Sequence, residues 1–134
     1  MNKLLLFAVI LVFSAFLLID KSGWLESKRM ARTGLFPELN YKPNISQGKA
    51  EYQKACVECH GAGLLGSEKG PSLLDSTYKD SHHADLSFYY AVKSGVRQHH
   101  WRFGDMPKIA GLSPERVSDI IAYVRHKQKL SNIK

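Results

Sequence analysis

The sequence predicts an all-α domain of about 85 residues preceded by a single transmembrane helix, and three observations carry that prediction. One C-terminal stretch holds a single apolar stripe at helical spacing with a cap at its start. No stretch of any length alternates apolar and polar residues as a half-buried strand would. Leu4 to Ile19, "LLLFAVILVFSAFLLI", is sixteen apolar or small residues without a charge.

That run comes first in the chain. At about 1.5 Å per residue it spans roughly 24 Å, a little short of a hydrocarbon core of about 30 Å. Asp20, Lys21 and Trp24 come next, and snorkelling with an interfacial Trp would extend the usable length. Residues 1–22 are therefore read as an N-terminal transmembrane anchor or uncleaved signal-like segment. The rival is a cleaved signal peptide with Lys3 as its basic end. It lacks a clear small-residue cleavage site, and a cut after Ser14 would leave "AFLLI" exposed. Either reading exports the rest of the chain. Charge disagrees: Lys21, Lys28, Arg29 and Arg32 lie after the run and only Lys3 precedes it, which by the positive-inside rule would put the C-terminal side in the cytoplasm.

Asp20 to Gln47 is polar, with Pro37 and Pro43. The linker is set at 23–45. The 28 residues of the polar stretch, extended at about 3.3 Å each, would reach roughly 90 Å, although Phe36 and Tyr41 suggest that part of it packs down. Asn44-Ile45-Ser46 is formally a glycosylation sequon.

The compact domain is set at 46–134. Ser46 is expected to cap a first helix that places Gly48, Tyr52 and Ala55 on one face. A Gly-rich loop, "GAGLLGSEKGPS", lies after the cysteines. "DLSFYYAVKSG" reads as a helix capped by Asp85 and stopped by Gly95. A loop without period runs to Gly111. In the last helix Ser113 caps, Pro114 takes the first position, and Val117, Ile120, Ile121 and Val124 form the stripe. Arg125, Lys127 and Lys129 are expected to complement its C-terminal dipole. A domain this small has few apolar positions, so something should staple its middle.

Net charge is +7, from 19 Lys and Arg against 12 Asp and Glu. It reads as solubility or as electrostatic steering towards an acidic protein partner. Nucleic acid is not expected, because the cations are scattered rather than banked on one helix.

"CVECH", residues 56–60, holds both cysteines of the chain. A disulfide between Cys56 and Cys59 would close a tiny loop and gain little entropy. Structural zinc needs four ligands, and neither His82-His83 nor His99-His100 has the usual spacing. A thioredoxin-like site expects a βαβ context. C-x-x-C-H fits haem better: two thiols three positions apart add to its vinyl groups, and His60 lies next to them as proximal iron ligand. One covalent haem c would also be the missing staple.

From about Ser46 to Lys129 the sequence resembles class I monohaem c-type cytochromes. The resemblance implies the cytochrome c fold, with attachment on the outer side of an energy-transducing membrane, which opposes the charge rule. It implies that Gly48 and Tyr52 mark the crossing of the first and last helices, with Tyr123 in "IAYV" as aromatic partner. Gly70-Pro71 resembles the loop whose Pro carbonyl accepts the proximal His ring N–H, making Pro71 a partner of His60. Met106-Pro107 resembles the distal-ligand Met-Pro, which makes Met106 the expected sixth ligand. His82, His83, His99 and His100 are the competing ligands, and an open iron is a third possibility. Arg97, Trp101 and Arg102 are candidate propionate contacts. Leu73, Leu74, Tyr89, Ile109 and Leu112 are expected to wall the haem pocket.

The expected function is electron transfer rather than catalysis. The chain is expected to be single-pass in the inner membrane with its haem domain in the periplasm. Its partners would be other membrane-protein subunits and redox proteins with acidic docking faces. The fixed subunit of a respiratory complex, a tethered shuttle, and an open-iron enzyme or gas sensor are the competing roles.

Overall fold

The computed structural model describes residues 34–133. The expected anchor at 1–22 and the first half of the linker lie outside the described residues. Among the described residues, no helix is long and apolar enough to cross a membrane.

The described residues form four helices, α1 (Ile45–Ala55), α2 (Val57–His60), α3 (Asp85–Ser94) and α4 (Pro114–Leu130), with 3₁₀ turns at Ala62–Leu64 and Ser76–Tyr78. No strand forms among the described residues, only isolated bridges between Ser67 and Gly70 and between Val96 and Met106. The all-α expectation holds.

Two caps differ from expectation. Asn44, not Ser46, caps α1: its backbone is extended, and its side-chain oxygen accepts from Ser46 N at 2.9 Å and Gln47 N at 3.1 Å. Ser46 is already inside the helix. Asp85 is the first helical residue of α3 rather than its cap, and its carboxylate instead accepts Arg125 Nε at 2.8 Å. Ser113 does cap α4, accepting from Arg116 N at 3.4 Å, with Pro114 at the start.

The frame is the crossing of α1 over α4. A Cβ on Gly48 would stand 1.9 Å from the Asp119 carbonyl oxygen, so only glycine permits this approach. Tyr52 and Tyr123 meet with ring centroids 5.6 Å apart and planes inclined by 54°. They belong to a buried cluster with Leu64, Leu73, Ile120 and Val124. Each such side chain contributes about 1.5–3 kcal/mol on burial. The expected α4 stripe divides between the two sides of the helix: Ile120 and Val124 join this cluster, Val117 and Ile121 a second one with Leu35 and Tyr89. Glu51 is buried and paired with Lys54 at 3.0 Å and Arg116 at 3.8 Å.

Residues 34–44, read from sequence as the end of the linker, pack onto the domain. Leu35 is buried, Phe36 lies 5.1 Å from the Tyr89 ring, and Tyr41 donates its hydroxyl to both Asp119 carboxylate oxygens at 2.9 Å. Asn44 N adds a 2.7 Å bond to the same carboxylate. A buried acid on the apolar side of α4 is thus satisfied by the chain leading into α1.

Arg125 does more than complement the α4 dipole. Its guanidinium donates to the carbonyls of Tyr78 and His83, to Gln128 Oε1 and to Asp85, and lies over the Phe88 ring. Gln128, also buried, donates to the Leu73 and Tyr78 carbonyls. Together they pin the irregular segment 73–85 to α4.

Candidate haem site

α1 ends at Ala55, and the chain turns at once into the four-residue α2, so Cys56, Cys59 and His60 fall within little more than one turn of a tight bend. Tyr52 holds this bend from below, donating its hydroxyl to Gly61 O at 2.7 Å. Burial, then the neighbouring Cys56 and Tyr123, pushes the Tyr52 phenol far up, so it stays a neutral donor. Beyond the bend, the Gly-rich loop folds back: Gly66 N donates to His60 O at 2.8 Å and Ser67 Oγ to Cys59 O at 2.6 Å. This return brings the Pro71 carbonyl to 2.9 Å from His60 Nδ1. With Nδ1–H donated to that carbonyl, Nε2 is the nitrogen left for a metal. Burial lowers the His60 pKa, and the Pro71 bond pulls it the other way.

Cys56, Cys59 and His60 form one wall of a cavity of about 410 Å³, and Met106 lies on its lining too. The cavity size is ordinary for a bound organic cofactor. Its lining is apolar, with Leu73, Phe88, Val92, Val96, Ile109 and Ile120 among the wall residues. Cys56 has its thiol pushed up to about 11, by burial first and then by Cys59.

Met106 is carried by a loop closed at both ends. Val96 N donates to Met106 O and Met106 N to Val96 O, each at 2.9 Å. Gly95 makes the closure possible: its φ is +76°, and a Cβ there would come within 2.5 Å of Met106 O. Inside the loop, Asp105 accepts from Gln98 N at 2.9 Å, and Gln98 Oε1 from Gly104 N at 3.1 Å.

The other expected site residues divide. Trp101 lines the cavity and donates Nε1 to Tyr78 Oη at 3.2 Å. Arg97 and Arg102 do not reach its walls, and Arg102 is exposed. Of the expected wall residues, Leu73 and Ile109 line the cavity, whereas Leu74, Tyr89 and Leu112 do not. Tyr89 faces the Leu35 cluster; its neighbour Phe88, which sequence reasoning passed over, faces the cavity. A helix turns 100° per residue, so adjacent aromatics in "SFYY" cannot share a face, and the string does not say which one points inward. Tyr78 was also missed, because it sits in a 3₁₀ turn inside a loop without period. His83, His99 and His100 line the rim.

The residues fit a covalently held haem: a paired-thiol bend, an oriented imidazole, a thioether on the same cavity, and apolar walls. A profile of the cytochrome c family matches residues 45–128. Over 92 residues the chain is 29% identical to the Cbb3-type cytochrome c oxidase subunit CcoP of Cereibacter sphaeroides, covering 64% of this chain and 31% of that relative. The chain therefore spans about a third of the length of the curated relative it matches. No solved structure matches it. A cytochrome c domain implies covalently bound haem c, and Cys56 and Cys59 are the cysteine pair this chain offers for it. From the helical fold, the thiol–imidazole bend and the profile match, which takes in well over half of the chain, it follows that this protein belongs to the cytochrome c family.

Proposed function

We propose that this cytochrome c carries single electrons as the haem subunit of a larger respiratory membrane complex, anchored through residues 1–22 with its haem domain in the periplasm. Cys56 and Cys59 would hold the haem as thioethers, and His60 and Met106 would ligate its iron. The observation that carries this reading is the convergence of all four on one apolar cavity, with His60 Nδ1 already committed to the Pro71 carbonyl. When bound, haem c supplies an iron that alternates between ferric and ferrous states.

The chain's own residues do the rest. The Pro71 bond fixes the His60 ring and raises its basicity as a ligand. The Val96–Met106 bridge sets the thioether on the cavity wall and leaves no easy slack for its withdrawal. With His60 and Met106 both given to the iron, the chain would leave no open position there for a substrate. Apolar walls exclude water and favour the less charged state of the site, which with a Met ligand raises the potential. Trp101 spends its one N–H on Tyr78 Oη, so the Tyr78 hydroxyl is the donor this pair could offer a haem carboxylate. Arg97 and Arg102, on the same loop but off the cavity wall, serve better as rim cations that steer an acidic partner than as propionate ligands. The name of the Cereibacter relative, an oxidase subunit, supports assembly into a complex.

Met106→Ala tests the ligand set. The ferric protein should lose the weak long-wavelength band of Met ligation, and the reduced protein should gain carbon monoxide binding. An unchanged spectrum would sink the assignment in favour of an open or His-ligated iron. Purification in mild detergent tests the assembly: migration as a lone small haemoprotein would favour a tethered shuttle.

A further inference from the structure

Four of the six histidines play no part in the proposed haem ligation and lie outside α4, and the fold gathers them. His82 and His83 lie in the turn before α3, His99 and His100 in the loop that ends at Met106. Their rings meet: His82–His83 at 4.8 Å, His82–His100 at 5.4 Å, His83–His100 at 5.2 Å and His99–His100 at 4.2 Å between centroids. One ring nitrogen from each of His82, His83 and His100 falls within 4.8 Å of the other two.

We propose that His82, His83 and His100 form a binding site for a divalent transition-metal ion of the zinc or copper(II) class, at the rim of the haem cavity. Imidazole is the ligand those ions prefer. Three histidines with one open position is a known zinc arrangement. A tetrahedral ion at about 2.0–2.1 Å from each nitrogen sets them roughly 3.4 Å apart. The rings therefore close by little more than about 1 Å, which exposed His82 and His100 achieve by small side-chain rotations.

His83 carries the independent signature of a ligand. Its Nδ1 is 2.7 Å from the Thr77 carbonyl, which fixes the N–H on that side and leaves Nε2 for the metal. Its backbone carbonyl is in turn held by Arg125, so the ring has a rigid base. Arg125 is the nearby cation that would oppose a metal, but it is paired with Asp85 at 2.8 Å and Asp80 at 3.5 Å.

A metal there ties the His82–His83 turn to the loop that carries Met106. It acts as a clasp across the cavity rim, between elements otherwise joined by few bonds. The site needs neither Met106 ligation nor membership of a complex, so its test stands apart from both.

Zinc is titrated into the haem-loaded full chain against a chromophoric chelator. We expect one Zn²⁺ per chain and a rise in unfolding temperature on loading. His82→Ala and His100→Ala should each weaken binding by about tenfold or more and abolish the thermal shift. His126→Ala, in the exposed part of α4 and outside the cluster, should bind as the parent does. His82 is exposed and outside the cavity lining, so His82→Ala keeps the haem spectrum and decides the matter even if His100→Ala disturbs it. Absence of saturable binding, or a His82→Ala affinity within about twofold of the parent, overturns the proposal.

Discussion

Gly48→Ala puts the helix crossing to a quantitative test. The added methyl would lie 1.9 Å from Asp119 O, 2.4 Å from Asp119 C and 3.1 Å from Ile120 N. All three are backbone atoms of α4, so no side-chain rotation relieves the clash. Restoring a contact of about 3.5 Å requires the crossing to open by roughly 1.5 Å. A gap of even about 0.5–1 Å forfeits roughly a quarter to a half of each pairwise dispersion well along the seam, where Tyr52, Ile120, Tyr123 and Val124 interlock. Overpacking costs about 1–3 kcal/mol, and this site belongs at the upper end. Alanine returns about 1 kcal/mol through helix propensity. The net loss is about 2 kcal/mol, which for a domain of this size lowers Tm by roughly 8–16 °C. Far-ultraviolet circular dichroism of the haem-loaded protein on heating measures it. A Tm within about 3 °C of the parent would refute the close-approach argument, because the crossing leaves the methyl no space to enter.

Other contacts carry their own expected outcomes. Arg125→Met keeps an apolar side chain of similar length but removes the guanidinium, and with it the cation–π contact on Phe88 and the bonds to the Tyr78 and His83 carbonyls. It should cost about 2–3 kcal/mol in denaturant unfolding and speed hydrogen exchange across 78–85. Glu51 has its carboxyl held below the ordinary range by its bond to Lys54, against some desolvation and with help from Arg116. Its folded-state pKa lies below the unfolded value of about 4.3, so its contribution is fully present above that pH and lost as pH falls through the lower value. Glu51→Gln should therefore flatten the acid limb of a stability-versus-pH curve below about pH 4.5; identical limbs would remove Glu51 from the account.

Local signals in the sequence reached a good part of this structure. The α4 stripe was legible because four buried positions repeat at one helical period behind a Ser-Pro cap. The cysteine bend was legible because its residues are contiguous, and a resemblance then pointed to Pro71, Tyr123 and Met106. The features that escaped were decided by distant partners. Asn44 wins the α1 cap from Ser46 because Asp119, 75 residues on, fixes its backbone N–H. Phe88 faces the cavity and Tyr89 the Leu35 cluster because Leu35 comes from beyond α1, which no window around α3 contains. Tyr78 and Arg125 join a turn to a helix 47 residues away, and no periodicity encodes such a pair.

The docking of residues 34–44 on α4 changes the working radius of the haem domain. On the proposed anchor, the length of chain between the anchor and the packed domain falls from the 23 residues of positions 23–45 to the eleven of positions 23–33, whose full extension is at most about 40 Å. Search volume falls steeply with tether length: by the −3/2 power law, the local concentration of the domain at its point of attachment rises roughly threefold. A haem confined in this way serves a neighbour fixed beside it better than a distant one, and lengthening the leash with a Gly/Ser insert would slow delivery to that neighbour without touching a single contact in the domain.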